Sequence, residues 1–198
     1  MHTNSKLLFQ NYSLEFFKKE SIVLEIGPDA FPSSYRRLIA NETSRWDTLD
    51  IMANPQLTYS STEENKFPMP DNTYDVVLAG NVLEHVRKPW LWLKEVRRVC
   101  KPGGRVVLIT PISWPYHAAP IDCWRIYPDG MKSLLEEAGL KTELCLFESR
   151  ELPGYSRYTP GASPECQSRI LSLFFRLAGP FGFPVERSYD TIAIAKKL

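Results

Sequence analysis

The stretch from Pro111 to Tyr127 holds the densest set of reactive side chains in the sequence: Trp114, Tyr116, His117, Asp122, Trp124 and Arg125. His117 with Asp122 can form an oriented base, because a carboxylate partner raises the basicity of an imidazole. Arg125 offers a planar fork suited to an acidic group on an acceptor. Trp114 and Tyr116 offer a wall against which an acceptor can rest. A second reading keeps the same residues structural. In it the aromatics pack the loop down, and Asp122 and Arg125 form one ion pair. Of the 3 histidines, His85 lies in Leu83-Glu84-His85-Val86, where it either faces the reacting group or braces the segment. His2 is terminal and is set aside.

A second group of residues points to a nucleoside ligand. Glu25-Ile26-Gly27-Pro28-Asp29 closes an apolar run with an acid and then a glycine, which lets backbone approach a ligand closely. Asp50, about 20 residues further on, is spaced to hydrogen-bond a ribose diol. The competing reading makes the first an ordinary strand-to-loop turn and the second a loop-capping aspartate.

These residues need a frame, and the hydrophobic pattern supplies one. Apolar runs at 21–26, 74–79 and 105–110 read as strands buried on both faces, the mark of a parallel sheet covered by helices. Residues 45–51, 141–148 and 191–197 read as further strands, and 52–73 as a polar, turn-rich connection. Helices are expected at 5–19, 34–40, 89–100 and 128–138. The helix at 89–100 begins with Pro89 in its first turn and carries an apolar face of Leu91, Leu93, Val96 and Val99 or Cys100. Lys101-Pro102-Gly103-Gly104 is expected to stop it, with glycine as a left-handed cap, and Gly139 is expected to stop the helix at 128–138. A further apolar helix is expected at 164–177, within a Pro- and Gly-rich insertion at 149–190. That insertion reads as a lid, as a subunit contact forming a homodimer through 164–184, as a membrane-surface patch, or as a helix packed on the domain edge.

Composition bounds the rest. The chain has 198 residues, 43% of them hydrophobic, which suggests one globular domain. Its 24 Lys+Arg against 23 Asp+Glu argue against a nucleic-acid partner, whose affinity rests on phosphate neutralisation. No long apolar run predicts a membrane span, and the opening residues show no signal-peptide pattern, so a cytoplasmic location is expected. The 4 cysteines, Cys100, Cys123, Cys145 and Cys166, include no C-x-x-C pair and are expected to be free thiols. No metal is expected. The cysteine spacing suits no zinc site.

Residues 67–110 contain P-M-P-D-N-T-Y-D-V-V, then L-E-H-V, then a helical stretch, then K-P-G-G before a strand. In this order and spacing they resemble the class I S-adenosylmethionine-dependent methyltransferases, in the branch of the ubiquinone-biosynthesis-type (type 11) enzymes. The resemblance covers about residues 20–148 and the strand near 191–197. It implies an α/β, Rossmann-like fold: a seven-stranded, mostly parallel sheet with helices on both faces and an antiparallel last strand. It implies S-adenosylmethionine as cofactor and a small-molecule substrate, methylated on oxygen or nitrogen, with a sugar, glycan or natural product preferred. Glu25, Gly27 and Pro28 would then border the methionine and ribose end, Asp50 the ribose hydroxyls, Ile51 the adenine face, Glu63 the adenine amino group and Asn81 the methionine portion. The family turn G-x-G-x-G is here Gly27-Pro28-Asp29-Ala30-Phe31, with one glycine retained. That departure motivates an alternative, a non-catalytic, partner-binding member with a collapsed cleft. A nicotinamide-dependent dehydrogenase is disfavoured by the missing G-x-G-x-x-G.

Overall fold

The structure is a computed structural model that describes residues 3–39, 45–118, 120–151, 177 and 188–198. Its centre is a seven-stranded sheet: β1 (Ile22–Ile26), β2 (Arg45–Asp50), β3 (Tyr59–Ser60), β4 (Tyr74–Gly80), β5 (Cys100–Pro111), β6 (Leu140–Glu148) and β7 (Asp190–Lys197). The spatial order is β3-β2-β1-β4-β5-β7-β6, parallel from β3 to β5, with β7 antiparallel to both β5 and β6. The expected fold is therefore present. The two-residue β3 inside the polar 52–73 stretch is an addition that its length and composition conceal.

Burial on both faces explains the continuous apolar runs. Val77, Ala79, Val106 and Leu108 face one core, under α3 (Pro89–Val99) and α4 (Pro128–Glu137). Val76, Leu78, Val107 and Ile109 alternate to the other, under α1 (Thr3–Tyr12) and α2 (Ser34–Leu38). On α3 the buried positions are Trp92, Leu93, Val96 and Val99, whereas Leu91 is 38% exposed. The buried face is thus rotated from the expected one. At about 100° per residue, position 92 falls on the arc shared by 93, 96 and 99, and position 91 falls off it.

The end of α3 also departs from expectation. No glycine caps it, for the helix runs straight from Val99 into β5, and Gly103, with φ +81°, lies within that strand. Its last carbonyls find other donors. Asn72 N–H donates to Arg98 O at 2.9 Å and Thr73 N–H to Val99 O at 2.8 Å. The Lys197 ammonium, buried at the end of β7, donates to Arg97 O and Cys100 O at 2.8 Å each. Desolvation lowers its pKa.

Cys100, Cys123 and Cys145 are free thiols, and Cys166 falls outside the described residues. Most of the insertion at 149–190, including the expected helix at 164–177 and the subunit contact at 164–184, also falls outside them. Among the described residues no helix is long and apolar enough to cross a membrane.

Candidate active site

A cleft of about 270 Å³ opens at the carboxyl ends of β1, β2 and β4, the edge where open α/β sheets bind ligands. Gly27 forms its floor. The backbone there has φ +71°, and a Cβ would meet Val82 Cγ2 at 2.4 Å, so only glycine fits without displacing a neighbour. Gly27 N–H donates to Leu49 O at 2.9 Å, which ties the turn to β2. At the tip of β2, Asp50 Oδ1 accepts the Met52 N–H at 2.8 Å, bending the chain so that Ile51 and Met52 enter the cleft wall. Those two side chains are 44% and 66% exposed. Glu63, Asn81 and His85 line the same cleft, as do Ser61, Glu64, Phe67 and Trp92. Phe67 opens the F-P-M-P-D motif, and Trp92 belongs to the α3 face that the apolar pattern of the sequence misplaces.

The cleft wall carries the carboxylates of Asp50, Glu63 and Glu64; Lys66 Nζ lies 3.5 Å from Glu63 Oε1, and the Arg87 guanidinium 3.8 Å from Glu64 Oε1. Several buried polar atoms stand unpaired. Among the described residues, Asn81 Oδ1 and Nδ2, the Tyr35 hydroxyl, Thr110 Oγ1 and both Glu84 carboxylate oxygens have no hydrogen-bond partner. Buried polar groups are normally satisfied, and the Asn81 amide, which lines the cleft, is placed to meet a ligand there. Tyr35 and Asn81 border a second, smaller hollow of about 110 Å³ with Gly27, Asp29 and Gly80.

Glu25 and Pro28 do not line the cleft. Glu25 is buried, and its Oε2 accepts from Ser33 Oγ at 2.6 Å and Trp46 Nε1 at 2.9 Å. Ser33 Oγ in turn accepts the Arg36 N–H at 3.0 Å as the N-cap of α2. Glu25 thus supports the turn from beneath and has no contact with the cleft. Burial pushes its carboxyl up to about 7, opposed by those two hydrogen bonds.

The loop after β5 is zipped to the segment after β4. Glu84 O accepts from Cys123 N–H at 2.8 Å and Trp124 N–H at 3.2 Å, and the Trp124 indole donates to Val86 O at 2.8 Å. His85 Nδ1 bonds the Ile121 carbonyl. This zipper brings the His85 and His117 rings together edge to face, centroids 4.9 Å apart. Desolvation lowers the His85 pKa, which favours neutral imidazole. Burial pushes the Glu84 carboxyl up to about 8.

Asp122 and Arg125 take the structural role. Asp122 binds Arg125 through both oxygens at 2.5 and 2.7 Å and also accepts the His117 N–H at 2.8 Å. The arginine's remaining donors reach the carbonyls of Trp114, Pro115 and Trp124. The Arg125 guanidinium beside Asp122 holds its carboxyl well below the usual carboxylate range. Arg125 therefore has no fork left for an acceptor. Tyr116 stands 77% exposed, and the Trp114 ring lies 6.4 Å from that of His117.

The fold is the Rossmann-like, seven-stranded arrangement shared with solved class I methyltransferases. Residues 34–108 match the family model described as a methyltransferase domain. The chain is 40% identical over 55 residues to an uncharacterized methyltransferase of Mycobacteroides abscessus, covering 28% of this chain and 21% of that one. It is 51% identical over 41 residues to one from Mycobacterium tuberculosis, 21% of this chain and 16% of that one. The match thus spans about a fifth of the length of the curated relatives. Among solved structures, a Bacillus halodurans protein described as a methyltransferase aligns with TM-score 0.64 at 16% identity, covering 99% of both chains. An S-adenosylmethionine-dependent methyltransferase from Archaeoglobus fulgidus aligns with TM-score 0.59 at 18% identity, covering 97% of this chain and 92% of that one.

Proposed function

We propose that the chain binds S-adenosylmethionine in the cleft at Gly27, Asp50 and Asn81 and transfers its methyl group to oxygen or nitrogen of a small acceptor. The observation that carries this reading is the cleft at the carboxyl edge of the sheet, where Asp50 at the tip of β2, the Gly27 turn and the unpaired Asn81 amide converge. An aspartate at that strand tip suits a ribose diol. The exposed Ile51 and Met52 suit an adenine face, the glycine cradle at Gly27 suits close approach, and the unpaired Asn81 amide suits a polar tail. When bound, the cofactor supplies a methyl group on a cationic sulfur. An open cleft also disfavours the non-catalytic alternative, which requires a collapsed one.

On the acceptor side, Trp114 and Tyr116 give flat walls suited to a ring-shaped acceptor, in keeping with a sugar, glycan or natural product in the ubiquinone-type branch. His85 and His117 hold or deprotonate the acceptor, and Asp122, which accepts the His117 N–H, positions His117 without touching the acceptor. Isothermal titration tests the first step. One equivalent of S-adenosylmethionine or S-adenosylhomocysteine is expected to bind with micromolar affinity. Absence of heat up to millimolar cofactor, or preferential binding of NAD, overturns the reading.

A further inference from the structure

We infer that Glu84, His85 and His117 form a binding site for one divalent transition-metal ion at the acceptor end of the cleft. Ligand atoms from the three side chains lie within 4.8 Å of one another. Glu84 has a fully buried side chain, and neither carboxylate oxygen has a hydrogen-bond partner among the described residues. His85 Nε2 lies 3.8 Å from Glu84 Oε1. A buried carboxyl group without a hydrogen-bond partner is a costly arrangement, and a cation shared with two imidazoles would supply that partner.

The surroundings of both histidines match those of metal ligands. A ligating imidazole donates its second ring N–H to a carbonyl or carboxylate, which fixes the tautomer and aims the free nitrogen. His85 Nδ1 bonds Ile121 O. His117 Nδ1 lies 3.3 Å from Pro115 O and 3.3 Å from Asp122 Oδ2. Each ring is thus left with Nε2 as its lone-pair nitrogen. Asp122 is itself held by Arg125, so the supporting shell is built to the second layer. The sequence alone leads to the expectation of no metal, because the third ligand comes from the loop after β5, which the sequence does not place.

Two imidazoles and one carboxylate select a borderline ion such as Zn(II) or Co(II) over Mg(II) or Ca(II), which take oxygen donors. At metal–ligand distances of about 2.1 Å, tetrahedral neighbours stand about 3.4 Å apart, so the site closes by roughly 1 Å on binding. The half-buried His117 has room for that motion. His85 lines the cleft, so the position that no side chain fills is open to water or acceptor. Resting on the methyl-transfer reading, the ion would hold an acceptor hydroxyl and lower its pKa toward neutrality, with the proton passing to solvent.

Chelator-stripped protein titrated with Co(II) and with Zn(II) tests the site, read by visible d–d absorption, metal stoichiometry and metal-dependent thermal shift. One ion per chain is expected. Glu84→Gln and His117→Ala should each weaken binding at least tenfold, while His2→Ala and Cys123→Ser leave it unchanged. Circular dichroism and S-adenosylhomocysteine binding check that the variants fold, and His117→Ala, on a half-exposed loop residue, carries the test if Glu84→Gln does not. Absence of stoichiometric binding by folded wild-type protein overturns the inference, as does equal affinity in the ligand variants or loss on removing His2 or Cys123. Metal binding without cofactor binding removes the methyl-transfer reading and leaves the site; cofactor binding without metal does the reverse.

Discussion

Asp122 grips Arg125 through both carboxylate oxygens, at 2.5 and 2.7 Å, and the pair organises the loop that presents His117. The Asp122 side chain is 2% exposed and that of Arg125 24%, so the pair is largely removed from water. Lysine cannot reproduce the fork that also reaches the Trp114 and Pro115 carbonyls. Arg125→Lys is expected to cost about 1–3 kcal/mol in urea unfolding, below the range for a fully buried pair. Turnover should fall while cofactor affinity stays at the wild-type value. An unchanged unfolding midpoint would show that the clamp is dispensable.

Gly27 and Val82 are set against each other in the same way. A methyl group at position 27 would stand 2.4 Å from Val82 Cγ2, which is one obstacle to Gly27→Ala, and φ +71° is another. The backbone part costs about 1–2 kcal/mol. Gly27→Ala should therefore lose both stability and S-adenosylmethionine binding. The double variant Gly27→Ala, Val82→Ala relieves the clash and leaves the φ strain, so it should recover part of the stability loss. Full recovery would show that φ strain contributes nothing there, and no recovery that Val82 is not the obstacle.

The sequence was legible where a residue's role is local. Strand runs, the glycine turn and Asp50 follow from burial on two faces and from chain geometry, and Gly27, Asp50, Ile51, Glu63, Asn81 and His85 all border the cleft. It was illegible where roles depend on contacts across long separations. Lys197 replaces the expected glycine cap of α3 from the far end of the chain. Glu25 has the position of a ligand residue, yet Ser33 and Trp46 claim its carboxylate. The pairing of His85 with His117 arises from the Glu84 carbonyl receiving two loop N–H groups, which no periodicity encodes.

Asp50 is the sharpest test of the cofactor assignment. Oδ1 is engaged by the Met52 N–H at 2.8 Å, and the residue faces the cleft at the tip of β2. Asp50→Ala removes the acceptor for a ribose diol and is expected to weaken S-adenosylmethionine binding by about 1–3 kcal/mol, roughly 5- to 150-fold in Kd. Asp50→Asn keeps the bond to Met52 and should fall between wild type and alanine. Calorimetric titration reads both, and wild-type affinity in Asp50→Ala removes this residue from the site.

Glu25 ties stability to pH. Its ordinary value is 4.5, and burial raises it to about 7 in the folded chain, with the Asp29 charge adding to the rise. Between those values the folded chain keeps a proton that the unfolded chain has lost. Stability from this group is therefore complete below pH 4.5 and declines as pH rises through 7. Glu25→Gln is neutral at every pH and can still accept from Ser33 Oγ or Trp46 Nε1. Contributions from all other titrating groups cancel when the two proteins are compared at one pH. The variant should match wild type near pH 5 and exceed it by about 1–3 kcal/mol near pH 8. Urea unfolding at the two pH values measures the difference. A gap of the same size at both would mean that Glu25 is ionised throughout, and that Ser33 and Trp46 stabilise its charge fully despite burial.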